Sequence, residues 1–117
     1  MTVLVEEKMR ERAGEAALTD ALDAAQSLLA DALTTLHTGT PDADELSEAV
    51  CGTHRVITTL ADVVEAVLEH APTIAEGHGP DVGKELAADL RALHGRLTSG
   101  ALLLAPALDD LAQRPTN

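Results

Sequence analysis

The absence of aromatic side chains is the strongest constraint on the fold of this chain. Its 117 residues include no Phe, Tyr or Trp, although 45% of them are hydrophobic. A core must therefore be built from Leu, Val, Ile and Ala, which suit closely approaching helices, whereas sheets draw heavily on aromatic residues. A chain of this length fits one domain with its own core. We therefore expect a single all-α domain over residues 1–117.

The spacing of the apolar residues predicts three long helices. The first runs to about residue 37, the second from about 42 to 70, and the third from near Pro80. Between them, "HTGTPDAD" (37–44) and "HAPTIAEGHGPD" (70–81) collect Pro and Gly, so we expect loops at 38–41 and 71–80. Because short connections make neighbouring helices antiparallel, the prediction is an up-down-up bundle of three long helices.

Each predicted helix carries an apolar stripe with steps of three and four residues. The stripe of the first helix is Leu18, Leu22, Ala25, Leu29, Ala32 and Leu36. The stripe of the second is Leu46, Val50, Thr53, Ile57, Leu60, Val64, Val67 and Ala71. The stripe of the third is Val82, Leu86, Leu90, Leu93, Leu97, Ala101, Leu104, Leu108 and Leu111.

Two stretches carry more apolar surface than a lone three-helix bundle can cover. Residues 1–14 form an N-terminal arm or an extension of the first helix, and three adjacent leucines precede Pro106, which would kink or end the third helix. One interpretation is a two-fold homodimer that buries both stretches. The other is that the arm frays and that a short fourth helix after Pro106 folds back over the core. The expected interface residues are Leu4, Val5, Met9, Leu102, Leu103, Leu104, Leu108 and Leu111.

The charge of the chain narrows the class of partner. Twenty acidic and eight basic side chains give a formal net charge of −12. Nucleic acid and anionic lipid both need clustered Lys and Arg, so we expect neither as a partner. The single cysteine cannot form an internal disulfide, and "MTVLVEEKMRER" at the start reads as neither a signal peptide nor a membrane span. We expect a cytoplasmic protein.

The lone cysteine and two histidines are the candidate site. Cys51 and His54 lie one helical turn apart, and an antiparallel second and third helix would set His54 opposite His94. Histidines on the edge of the apolar stripe that only pack and form hydrogen bonds are the simpler interpretation. The alternative is a zinc site formed by Cys51, His54 and His94 with a carboxylate such as Asp23. No other cofactor is indicated.

Acidic pairs on the helices raise the possibility of magnesium chemistry. They are Glu45 with Glu48, Asp62 with Glu65, and Glu85 with Asp89. "LADVVEAVLEH" (60–70) and "KELAADL" (84–90) resemble the acidic helices of the all-α MazG-type nucleotide pyrophosphatases, which implies a magnesium-dependent dimeric hydrolase. This sequence departs from that family's pattern, because Asp62 replaces the first Glu and the step from Glu85 to Asp89 is one residue longer. A solvated acidic face is the competing interpretation.

No motif with catalytic spacing supports an enzyme. The glycine-rich "GHGPDVGKEL" (77–86) lacks the spacing and the hydroxyl of a phosphate-binding loop, since Glu85 follows Lys84. Cys51 lies within a helix among apolar neighbours, which does not favour a nucleophilic thiolate. The sequence therefore favours a small acidic protein that acts through protein–protein interaction, as an adaptor, regulator or secretion- or phage-associated factor. A ligand- or metal-binding bundle is the alternative.

Overall fold

The computed structural model describes residues 2–113, and these form four helices and no strand. The helices are α1 (Thr2–Thr38), α2 (Ala43–Glu69), α3 (Ala71–His78) and α4 (Pro80–Ala112). The chain divides into two compact units, Met1–Pro41 and Asp42–Asn117. The all-α prediction and the three long helices are confirmed, and α3 is an additional helix.

The first unit consists of α1, which continues through Gly14 without a break. Residues 2–14 therefore extend the first helix. This was one of the two predictions for residues 1–14, the other being a separate N-terminal arm. Every α1 side chain that the structure describes is exposed. The helix ends at Thr38, whose hydroxyl donates to the carbonyl of Thr34 at 2.8 Å, and His37 lies in its last turn, where a basic ring complements the helix dipole.

The second unit begins with a well-formed helix start. Asp42 is the N-cap of α2, and its Oδ1 accepts a hydrogen bond from the backbone N–H of Glu45 at 2.8 Å. Asp44 and Glu45 add negative charge to the first turn, where it opposes the helix dipole. The predicted loop at 38–41 corresponds to the short stretch between the helices.

The segment 71–80 differs from its prediction as a loop, because most of it forms α3. Pro72 stands in the first turn of α3, where its missing N–H costs no hydrogen bond. Ile74 and Ala75 are half-buried, so the short helix gains packing that an open loop would lack. Gly79, at φ 98°, then ends α3 and precedes Pro80, the first residue of α4. This positive φ is one that residues with a side chain rarely adopt.

In the second unit, α2 and α4 pack together along their lengths, and α3 packs on the start of α4. Ala75 of α3 lies against Gly83, and Glu65 of α2 lies beside His94, so α2 and α4 run antiparallel. The closest packing lies at small residues: Ala61, Val64 and Ala87 are the buried hydrophobic residues among those described. Gly83 is also buried, and a Cβ atom at this position would lie 2.7 Å from the Cβ of Ala75. Glycine is therefore required where α3 crosses α4.

The covered faces of α2 and α4 are turned about the helix axes relative to the predicted stripes, so that Ala61, Gly83 and Ala87 lie inside. On each helix, one series of covered positions follows steps of three and four residues, and we call these two series the inner stripes. The inner stripe of α2 is Ser47, Val50, His54, Ile57, Ala61, Val64 and Leu68. The inner stripe of α4 is Gly83, Ala87, Leu90, His94, Leu97, Ala101, Leu104 and Leu108. Predicted stripe residues such as Leu60, Val67 and Leu93 are exposed instead.

The α4 helix also continues through Pro106 to Ala112, so the suggested separate fourth helix after Pro106 is wrong. A proline inside a helix removes one backbone hydrogen bond and costs about 3 kcal/mol. Leu104 and Leu108, on either side of Pro106, are both half-buried on the inner stripe. Their packing holds the helix together across the proline.

Candidate functional site

Cys51 and His54 lie on α2, one turn apart, and both are half-buried. Cys51 is a free thiol at the side of an open depression, together with Asp44, Ser47, Glu48 and Arg55. All five of these residues belong to the first half of α2, so the depression is a groove along one helix. His54 is on the inner stripe.

His94 lies opposite Glu65, not opposite His54. Its Nε2 is 4.0 Å from the Oε2 of Glu65, and the His94 and Glu65 side chains are 34% and 60% exposed. Glu65 comes eleven residues after His54 on α2, which corresponds to about 16 Å along a helix axis. The predicted pairing of His54 with His94 is therefore wrong. The α3 helix is the cause, because it shifts the pairing of α2 with α4 by about three turns.

The zinc site proposed from the sequence does not assemble in the described structure. Within residues 2–113, no group of three or more His, Cys, Asp or Glu side chains comes together in a way that could hold a metal ion. Cys51 and His54 share a helix, whereas His94 faces a different level of α2. The contact between His94 and Glu65 is long and partly exposed, and such contacts contribute little to stability.

The acidic pairs do not gather into a magnesium site either. The side chains of Asp62, Glu65, Glu85 and Asp89 are all exposed. They belong to the same described residues among which no metal-binding group is found. A solvated acidic face accounts for these four carboxylates.

The residues predicted to form an interface fall into two groups. Val5, Met9, Leu102 and Leu103 are 57%, 65%, 69% and 81% exposed, and Leu111 is 38% exposed. Leu104 and Leu108 instead belong to the half-buried inner stripe of α4. The side chain of Leu4 lies outside the described residues. We call Leu102 and Leu103 the leucine pair.

Two further apolar surfaces were not singled out as interfaces from the sequence. One is the outer stripe of α2, formed by Leu46, Val56, Leu60, Val63 and Val67, with exposures of 37–47%. The other is the apolar stripe of α1, on which Leu18, Leu22, Leu29 and Leu36 are 39–61% exposed. The signal was present in the sequence, because α2 carries a second apolar series beside the covered one, with steps of three and four residues from Val56 to Val67, and only one series can face α4.

Comparison with known proteins adds no relative to this description. The chain matches no protein-family model, no curated protein and no solved structure at a significant level. None of the helices among the described residues combines the length and apolar character that crossing a membrane requires.

Proposed function

We propose that this protein acts through protein–protein interaction and that it associates with itself as a dimer. The observation that carries the proposal is the leucine pair, two adjacent large apolar side chains that are 69% and 81% exposed on α4. Large exposed apolar surface on a soluble chain is typical of contact sites between proteins. An adaptor, regulator or accessory factor of secretion or of a phage would use such a surface.

Charge favours a protein as the partner over nucleic acid or an anionic membrane. The net charge is −12, and long-range repulsion would oppose any polyanion. Apolar contact does not depend on charge of opposite sign. The arm residues Val5 and Met9 are a second exposed apolar surface and the natural counterpart of the leucine pair in a dimer.

Native mass spectrometry of the untagged protein tests the proposal, and it does not depend on the aromatic absorbance that this chain lacks. We expect a dimer, and a monomer at all accessible concentrations would contradict self-association. The double variant Leu102→Glu with Leu103→Glu places charge on the leucine pair and should shift the mass toward the monomer. Leu104 is left intact because it is half-buried on the inner stripe, where a charge would unfold α4.

A matched control is available one turn earlier on the same helix. Thr98 and Ser99 are exposed and adjacent, so Thr98→Glu with Ser99→Glu adds the same charge without touching the leucine pair. This control should remain dimeric. Equal loss of the dimer in both variants would show that added charge, and not the leucine pair, is responsible.

A further inference from the structure

The exposed stripe of α1 has the geometry of a coiled-coil seam. Leu22, Leu29 and Leu36 repeat every seven residues, and so do Leu18, Ala25 and Ala32. Leucines on this stripe are 39–61% exposed, and Ala25 and Ala32 are exposed as well. Two positions in seven form a narrow stripe, which suits a single partner helix with the same repeat.

The charges of α1 are arranged so that this stripe can meet a second acidic chain. Between Leu18 and Leu36 the only charged residues are Asp20, Asp23 and Asp31. Helical spacing places all three on the face opposite the stripe. The positions that flank the stripe are uncharged; they are Thr19, Ala21, Gln26, Leu28, Leu33 and Thr35. A copy carrying the same net charge of −12 can therefore approach along the stripe without juxtaposed carboxylates.

The order of large and small residues favours an antiparallel arrangement. In a parallel pair, identical residues of the two helices meet at each level of the seam. Ala25 would then face Ala25 and leave a gap, while Leu29 would face Leu29. In an antiparallel pair centred at Ser27, Leu22 faces Ala32 of the other copy and Leu29 faces Ala25. Leu18 and Leu36 then close the two ends. Large residues alternating with small ones across a seam pack without voids.

From these observations we infer that α1 is a second dimer contact beside the leucine pair, and that it pairs antiparallel with α1 of a second copy about a two-fold axis at the level of Ser27. The arrangement is isologous, so it closes as a dimer and does not propagate. It leaves the arm residues Val5 and Met9 beyond the paired region, free to contact other apolar surface of the dimer. The inference rests on the proposed self-association and adds the α1 stripe to the contact that the leucine pair makes.

Cysteine cross-linking tests both the partner and the direction. In a Cys51→Ala background, Leu18→Cys and Leu36→Cys are made as two separate proteins. The two positions are 18 residues apart along α1, or about 27 Å, whereas a disulfide needs Cα atoms within about 7 Å. An equimolar mixture, refolded together and mildly oxidised, should give a covalent dimer. Either protein alone should give none.

The outcomes separate this inference from the wider proposal. Cross-linking of either protein alone would show a parallel pair and overturn the antiparallel seam. A native dimer of the parent protein with no cross-link in the mixture would overturn α1 as the interface, while self-association would stand. A parent protein that is monomeric would overturn both.

A charge variant on the seam gives a second readout. Leu29→Glu lies two residues from the axis and should raise the dissociation constant of the dimer by about 100-fold or more. Both copies carry the substitution, so two carboxylates would lose their water when the dimer forms. Ser27→Glu adds the same charge on the outer face of α1 and should leave the dimer unchanged. Equal weakening by the two substitutions would overturn the seam.

Discussion

The α1 helix and the α2 helix carry apolar stripes of the same period, but only one of them is covered within the structure. On α2, Ala61 and Val64 are 7% and 5% exposed, whereas on α1, Leu22 and Leu29 are 49% and 51% exposed. The covered stripe is the one that packs against α4. Periodicity thus defines which face of a helix is apolar, while burial depends on whether another backbone can come close.

The largest expected effect is on Val64, the least exposed residue of the covered stripe. Val64→Asp should lower the free energy of unfolding of the second unit by on the order of 4 kcal/mol, because a buried valine is lost and a carboxylate is desolvated. Urea unfolding followed by far-ultraviolet circular dichroism measures the change. The effect would be a large part of the stability of a small domain.

The outer stripe of the same helix provides the comparison for that substitution. Val67 is three residues away and 38% exposed, so Val67→Asp should cost less than about 1 kcal/mol. Similar losses for the two variants would mean that the two stripes of α2 are equally covered, and the contrast between covered and exposed stripes would fail.

The second prediction concerns the crossing of α3 and α4. Gly83→Ala places a Cβ atom 2.7 Å from the Cβ of Ala75 and 3.0 Å from its Cα. Because backbone must move to relieve the overlap, we expect a loss of about 1–3 kcal/mol in the same unfolding experiment.

Gly95, on the same helix, is the matched control. Nothing lies within 4 Å of a Cβ atom built at Gly95. Alanine is the better helix former, so Gly95→Ala should raise stability by about 1 kcal/mol. The two substitutions therefore have opposite expected signs, and stabilisation by Gly83→Ala would show that α3 does not approach α4 as closely as the structure places it.

The sequence was sufficient to predict the three long helices, because the apolar period and the start signals of a helix are local. Pro80 begins α4, and acidic residues occupy the first turn of α2. It was not sufficient to predict α3, whose eight residues contain Pro72 and Gly77 and are held by packing on α4. At Pro106 the sequence left open a kink or an end, and α4 does not end there, with half-buried leucines on both sides of the proline.

The prediction of the candidate site was wrong for the same reason, because the sequence analysis placed a loop where the structure has α3. Placing His54 opposite His94 required a simple turn between α2 and α4, and α3 moved His94 to the level of Glu65. The rotation of the inner stripes was the other error. Large apolar residues such as Leu60 and Leu93 were expected inside, whereas Ala61 and Ala87 are buried. Hydrophobicity alone ranks leucine above alanine, but close helix packing selects the smaller side chain.

The smallest expected effect concerns the first turns of α1 and α2. The α2 helix has an N-cap, since Asp42 accepts from the N–H of Glu45 at 2.8 Å, whereas α1 has no acidic residue in its first turn. Asp42→Ala should cost about 1 kcal/mol of unfolding free energy in the second unit, and Asp42→Asn, which can still accept the bond, should cost only a few tenths. Equal losses would show that the charge of Asp42, acting on the helix dipole, matters more than its hydrogen bond. If alanine has no effect, α2 depends on packing alone, and the local start signal that distinguishes it from α1 contributes nothing to its stability.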